Sequence, residues 1–428
     1  MPAALICGSL AYDTIMVFQD QFKNHILPDK VHILNVSFLV PNMRREFGGC
    51  AGNIAYNLRL LGGNPVPMAT VGQDFGPYRQ HFEACGIDLT HVKAIDGLFT
   101  AQAFITTDLD DNQITAFHPG AMMRSHENHV ADVEDVRFGI VGPDGYDAML
   151  QNCRDLAESN IPFIFDPGQA MPLYNGEELT AMIEQATYVT VNDYESNLIQ
   201  ERTGLNEKQI AERVEGYLIT RGPAGSEIHT RAGMVQIPVA KAVRVVDPTG
   251  CGDAYRAGLI YGLMNGMDLA TTGRIASLMG ALKIESLGPQ NQKFTLDEFA
   301  ERFRQQFGRK DELVVGFRRH LAGLHIAQVH GLLLRIDRDR LAVRARINRE
   351  LVAERGFIRH QEARFLFDHV PDVIGQPAVG VGNIRPALDH DDLGLLIQPT
   401  QTRRTRRATR HSTNDDDFHN VLLFYFSF

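Results

Sequence analysis

No apolar run in this 428-residue chain reaches the roughly 18 residues that a membrane-spanning helix needs. The apolar end, Val421 to Phe428, is far too short. The amino terminus meets an acid, Asp13, before any basic residue, which argues against a secretory leader and for a cytoplasmic protein. Cysteine is scarce: Cys7, Cys50, Cys85, Cys153 and Cys251 are odd in number, scattered, and form no C-x-x-C pair. A disulfide framework and a structural zinc site are thereby disfavoured, and reduced thiols expected. Positive charge is short as well. With 42 basic and 52 acidic residues the net charge is −10, which argues against nucleic acid as the partner of the whole chain. G-x-x-x-x-G-K-[ST], the H-R-D and D-F-G pair, H-E-x-x-H, and a G-x-G-x-x-G after the first strand are all missing. P-loop, protein-kinase, zinc-hydrolase and hydride-transfer readings lose their support with them. What is present is globular in kind, 44% apolar and 22% charged, and long enough for two domains or one domain with an extension.

Lysine, methionine and cysteine all stop by residue 310. Residues 311–428 carry 17 Arg, eight of the 16 His and 15 acids, for a net charge of +2 against −12 before the break. Two readings stand for this tail. It is an appendage contacting nucleic acid through Arg403, Arg404, Arg406 and Arg407, or it is the translation of GC-rich DNA in a foreign frame, where Arg without Lys or Met is expected. Leu332, Ile336, Leu341 and Val343 fall at loosely helical spacing and allow marginal helices.

Residues 1–310 read as an α/β domain. Short apolar runs at 4–7, 138–141, 162–165, 188–191 and 217–220 each precede Gly, Pro, Asn or Asp and then a longer helix-like stretch. That alternation predicts a mostly parallel sheet with helices on both faces, and ligands at the carboxyl ends of its strands. Residues 12–47 and 98–120 break the pattern. Thr100–Thr107, the polar Asp110–Asn112 and Gln113–His118 predict a hairpin, and both regions together a small projecting β-sheet.

The segment richest in chemistry is Val245-Val-Asp-Pro-Thr-Gly-Cys-Gly-Asp-Ala254. Gly250 and Gly252 let backbone N–H groups approach an anion, and the helix that follows, with Ala257, Ile260, Tyr261 and Met264 on one face, points its positive end there. Asp253 is either a first-turn acid complementing the helix dipole or a base that takes a proton from an attacking hydroxyl.

The run Asp247-Pro-Thr-Gly-Cys-Gly-Asp253 resembles the carboxy-terminal signature of the ribokinase-like, or PfkB, carbohydrate and nucleoside kinases. Phe47-Gly-Gly-Cys-Ala-Gly-Asn-Ile-Ala55 resembles the family's glycine signature, Asn192-Asp-Tyr-Glu195 its N-x-x-E element, and Thr220-Arg-Gly-Pro-Ala-Gly225 its T-x-G-x-x-G element. The four occur in family order over roughly residues 3–308. The resemblance implies a three-layer α/β fold whose small sheet is a lid, and transfer of the γ-phosphoryl group of ATP to a sugar hydroxyl. It implies Asp253 as base and the N–H groups of Gly250, Cys251, Gly252 and Asp253 as an anion hole. Asn192 and Glu195 would organise Mg²⁺ through water. Thr220, Gly222, Gly225 and Thr249 would line the ATP site, and Asp247 with carbonyls near Gly288 would hold K⁺, as in some relatives. Asp13, Gly48, Gly49 and Asn53 would meet the sugar. Monomers and homodimers both occur among relatives.

The acceptor is read from the lid. Gln102, Phe104, Phe117 and Met122 would enclose a flat base above a ribose. The segment Asp166-Pro-Gly-Gln169 resembles prokaryotic nucleoside and adenosine kinases, which places Gln169 at the substrate and favours the 5′-hydroxyl of adenosine or a related purine nucleoside. A ribose or hexose kinase of the same fold is the alternative, and nucleic-acid binding through the tail the alternative of another class.

Overall fold

The computed structural model describes residues 2–26, 36–110 and 112–308. The Arg-rich tail from 311 onward, with both of its readings, lies outside the described residues.

Parallel strands β1 (Ala3–Cys7), β4 (Pro65–Val71), β5 (Val92–Ala94), β8 (Val136–Val141), β9 (Phe163–Phe165), β10 (Tyr188–Asn192) and β11 (Gly216–Thr220) form most of one sheet. The antiparallel β12 (Ser226–Thr230) and β13 (Gly233–Ile237) extend one edge, in the order β13-β12-β11-β10-β9-β8-β1-β4-β5. Residues of β1 alternate between two cores: Ala4 and Ile6 pack on one face, Ala3, Leu5 and Cys7 on the other. Helices α1 (Cys50–Leu60), α2 (Gly76–Ala84), α7 (Cys251–Met264), α8 (Leu269–Ile284) and α9 (Leu296–Phe307) feed the first core through Ile54, Phe82, Leu259, Leu278 and Phe303. Helices α3 (Tyr146–Glu158), α4 (Gly176–Gln185), α5 (Asp193–Thr203) and α6 (Glu207–Ala211) feed the second through Cys153, Ile183, Ile199 and Ile210. The result is the expected three-layer arrangement.

Four strands form a second sheet, β3-β2-β6-β7, from β2 (Ala11–Val17), β3 (Asn42–Gly48), β6 (Ala101–Thr107) and β7 (Gln113–His118). Both regions set aside in the sequence contribute, and β6 and β7 pair antiparallel as the hairpin predicted.

One expectation needs correction, and one strand was not anticipated. Helix α7 was expected to bury one face, but Ala254 through Gly262 are all buried. It lies between the sheet and α8, and a Cβ on Gly258 would fall 2.5 Å from the Cα of Ala276. Strand β4 carries Pro65 and Pro67, which reads against a strand in the interior of a sheet. It is tolerated because β5 pairs only with Ala69 to Val71, leaving the proline half of β4 bonded on one side.

Candidate active site

The carboxyl ends of the parallel strands gather the polar turns the sequence singled out. Gly8 and Ser9 follow β1, Gly142 follows β8 and Asp166 follows β9, while Asn192 of β10 and Thr220 of β11 are register partners. Helix α7 begins beside them. Its N-cap, Gly250, has φ +80°, a left-handed backbone that lets the chain turn into the helix, and a side chain there would also press on Pro289. Of the four expected anion donors, the Cys251 N–H already donates to the Pro248 carbonyl at 3.1 Å. The N–H groups of Gly252 and Asp253 have no carbonyl within the helix to bond to, and Gly252 is exposed.

Asp253 projects from this first turn. Its Oδ2 accepts from Asn53 Nδ2 at 2.8 Å, and its Oδ1 has no hydrogen-bond partner among the described residues. Burial pushes the carboxyl up to about 6, against the pull of Asn53 and of the Arg256 guanidinium. Behind it runs a chain of buried donors. Gln290 Nε2 donates to Asn53 Oδ1 at 3.0 Å and to Tyr78 Oη at 2.7 Å, and Tyr78 donates to the Gly48 carbonyl at 2.7 Å. Asp253 is thus tied to the root of the small sheet. Gln290 was not anticipated, since a glutamine outside any motif carries no sequence signal.

Asp13, on β2, is a second acid near enough to feel the charge of Asp253. A Cβ on Gly48 would sit 2.3 Å from Asp13 Oδ2, so glycine there is what admits the carboxylate. Burial pushes Asp13 up to about 7, helped by the charges of Asp253, Glu46 and Asp247. Its oxygens accept no hydrogen bond among the described residues. Gly48 itself is buried and Gly49 half-buried, so the bare backbone expected under the sugar is mostly lid root.

Arg256 does not reach for an anion. It grips Asp166 through two bonds, Nε to Oδ2 at 2.5 Å and Nη2 to Oδ1 at 2.8 Å, and Nη1 donates to the Gly252 carbonyl at 3.2 Å. Both partners are buried. This pair braces the first turn of α7 from behind.

Three groups of expected residues fall differently. Asn192 and Glu195 form a capping box: Asn192 Oδ1 accepts from the Glu195 N–H, and Glu195 Oε2 from the Asn192 N–H. Among the described residues no three His, Cys, Asp or Glu side chains converge as a cation cage. The donor set therefore fits a cation that keeps its water shell, met by the free oxygen of Glu195, and not one ligated directly. Asp247 is likewise spent: Oδ1 accepts from the Thr249 N–H and Oδ2 from the Gly288 N–H, at 2.9 and 2.8 Å. Burial alone would raise its pKa, but these donors pull it below the ordinary value. Near Gly288, where carbonyls were expected to face K⁺, the Ser286 carbonyl accepts from Lys283 Nζ at 3.2 Å, and the same ammonium donates to Asp247 O at 2.7 Å.

The lid aromatics cannot enclose one base together. Register pairs Asp13 with Ala103 and Ala103 with Phe117, whereas Gln102 and Phe104 pair with Tyr12 and Thr14. Opposed residues share a face and successive ones alternate, so Phe117 lies on the Asp13 face and Phe104 and Gln102 on the other. Gln102 donates to Asp74 there. Met122 is half-buried in the turn after β7, and Gln169 is exposed three residues past Asp166. Gly222 and Gly225 bend the chain between β11 and β12, next to Thr220.

A family model, the pfkB family carbohydrate kinase, matches residues 13–295. A nucleoside kinase from Burkholderia thailandensis, solved in complex with inosine, is 54% identical, with a TM-score of 0.67 over 72% of this chain and 99% of that one. It has also been solved in complex with ADP-inosine, at 55% identity and a TM-score of 0.65 over 72% and 97% of the two chains. The nucleoside kinase of Methanocaldococcus jannaschii is 32% identical over 275 residues, 63% of this chain and 90% of the relative.

Proposed function

This chain belongs to the pfkB family of carbohydrate kinases, and from that footing we propose that it transfers the γ-phosphoryl group of ATP to the 5′-hydroxyl of a ribonucleoside, adenosine or a related purine nucleoside. The observation that carries the reading is Asp253: one oxygen held by Asn53, the other open, at a helix N-terminus with unspent N–H groups. A carboxylate beside a polyanion is repelled, so placing one there calls for a chemical reason. Its work is to take the 5′-hydroxyl proton as that oxygen bonds to the γ-phosphorus and the bond to ADP breaks. A base titrating at about 6 is mostly ionised at neutral pH yet more basic than a free carboxylate.

The Gly252 and Asp253 N–H groups face the charge that builds on the transferred group, and each such donor supplies on the order of 3 kcal/mol. Thr220, Gly222, Gly225 and Thr249 border the ATP side. Mg²⁺ supplies charge neutralisation on bound ATP, and Asn192 and Glu195 would hold it through its water. On the acceptor side, unpartnered Asp13 takes ribose hydroxyls, and Phe117 offers the base an aromatic surface. Support for a nucleoside over a free sugar comes from that aromatic face and from the relative solved with inosine.

The test is a panel of nucleosides against ribose and hexoses with ATP as donor. The reading expects inosine, adenosine or guanosine to turn over at least about a hundredfold faster per unit concentration than any free sugar. Faster phosphorylation of ribose would replace it with the sugar-kinase reading.

A further inference from the structure

Helix α8 is apolar along most of its length, yet Lys283 in its last turn has no exposed surface at all. An ammonium is almost never buried this completely without compensation. Here none of its described contacts is an ion pair. Its bonds are to two backbone carbonyls, Asp247 O at 2.7 Å and Ser286 O at 3.2 Å, which come from different loops. The nearest acid, Asp247, gives its own two oxygens to the N–H groups of Thr249 and Gly288. Cation and carboxylate therefore stitch the same two loops in opposite senses: Lys283 binds their carbonyls and Asp247 their amides. The Val246 and Asp247 N–H groups add bonds to the Ile284 carbonyl, at 2.8 and 3.2 Å.

One of the stitched loops is the turn from Asp247 to Gly250, which ends in the left-handed N-cap of α7. Everything the proposed reaction needs from that helix, the Gly252 and Asp253 N–H groups and the Asp253 carboxylate, follows within three residues. The other loop leads through Pro289 to Gln290, which holds Asn53 against Asp253. Converging carbonyls are what a dehydrated monovalent ion also seeks, and the side chain of Lys283 already fills the space between these two.

We propose that Lys283 is a tethered monovalent cation that fixes the anion-binding turn and aims Asp253, so that turnover needs no monovalent cation from solution. Lys283 is a positioning residue, as it touches neither the cleft nor the open oxygen of Asp253. The inference rests on the kinase reading for its activity measurements, and on no reading for its stability measurement.

The experiment uses the full chain. Wild-type nucleoside phosphorylation is measured with the counter-ion varied among K⁺, Na⁺ and tetramethylammonium at fixed ionic strength. Rates within about twofold are expected, whereas a loss of about tenfold or more in tetramethylammonium overturns the proposal. Lys283→Ala, which leaves the carbonyls facing a cavity, is expected to lose about tenfold or more in kcat with KM for the nucleoside changed less than about threefold. Ammonium or methylammonium should then restore most of the loss, and tetramethylammonium, too large to enter, should not. Lys283→Met fills the cavity without a charge and should stay impaired in every salt. Full activity of Lys283→Met overturns the proposal even if Lys283→Ala fails to fold. If the wild type phosphorylates no nucleoside, the kinase reading fails instead. The tether is then judged by the melting of Lys283→Ala, which should rise in ammonium and not in tetramethylammonium.

Discussion

Replacing Asp253, the proposed base, should make the protein more stable while removing the proposed activity. Burial holds the Asp253 carboxyl at about 6 in the folded chain, against 3.8 when exposed. The sign follows from proton linkage. Between about pH 4 and about 6 the folded chain holds a proton that the unfolded chain has lost, so stability falls as pH rises through that window and stays lowered above it. A rise of that size corresponds to about 3 kcal/mol, and screening in the half-buried cleft reduces it to about 1–2 kcal/mol. Asp253→Asn removes this cost while its amide oxygen still accepts from Asn53. Asp13 gains too, because the Asp253 charge is among the causes that raise it. At about 2–4 °C per kcal/mol for a domain of this size, Asp253→Asn should melt about 2–8 °C above the wild type at pH 8. The difference should vanish near pH 4, where Asp253 is protonated in the fold. Calorimetric melts at pH 4, 6 and 8 decide the matter. A variant that melts below the wild type at pH 8, or that gains equally at pH 4, would refute the reasoning.

Other consequences are as direct. The kcat/KM for nucleoside should climb from pH 5 to 7.5 with apparent pKa values near 6 and 7 belonging jointly to Asp253 and Asp13, and a flat profile would remove both from the rate. Gly48→Ala must displace the Asp13 carboxylate, so nucleoside KM should rise about tenfold or more with ATP KM unchanged, and Asp13→Ala should add little on top. Arg256→Met strands the buried Asp166 charge and should cost about 3–5 kcal/mol in denaturant unfolding, much of it recovered in the Arg256→Met, Asp166→Leu double variant. If the double variant is as unstable as the single one, the pair is not what sets the stability there.

The strand–helix alternation, the lid hairpin and the position of Asp253 were all legible, because each depends on local pattern: period-two burial, a polar turn between strand-like runs, and glycines before a helix. What escaped depends on pairing between distant segments. Phe104 and Phe117 look equivalent along the chain, and only the register of β6 against β2 and β7 puts them on opposite faces. β4 hid behind prolines that its one-sided pairing makes harmless. The spacing that reads toward a metal at Asn192 and Glu195 also closes a capping box, in which Asn192 Oδ1 and Glu195 Oε2 each accept the other residue's backbone N–H. Lys283 was invisible for the opposite reason. A lysine near a helix end reads as a surface residue, and its burial follows from two loops closing over it.

The claim beneath all of this is that the Asp253 carboxylate takes the proton of a nucleoside 5′-hydroxyl. It is tested most directly by mass spectrometry of a single turnover of ATP with inosine, run side by side with wild type and Asp253→Asn at equal occupancy. The account predicts inosine 5′-monophosphate from the wild type, and from the variant a rate lower by about a thousandfold or more with nucleotide affinity kept. Undiminished product from Asp253→Asn would contradict it.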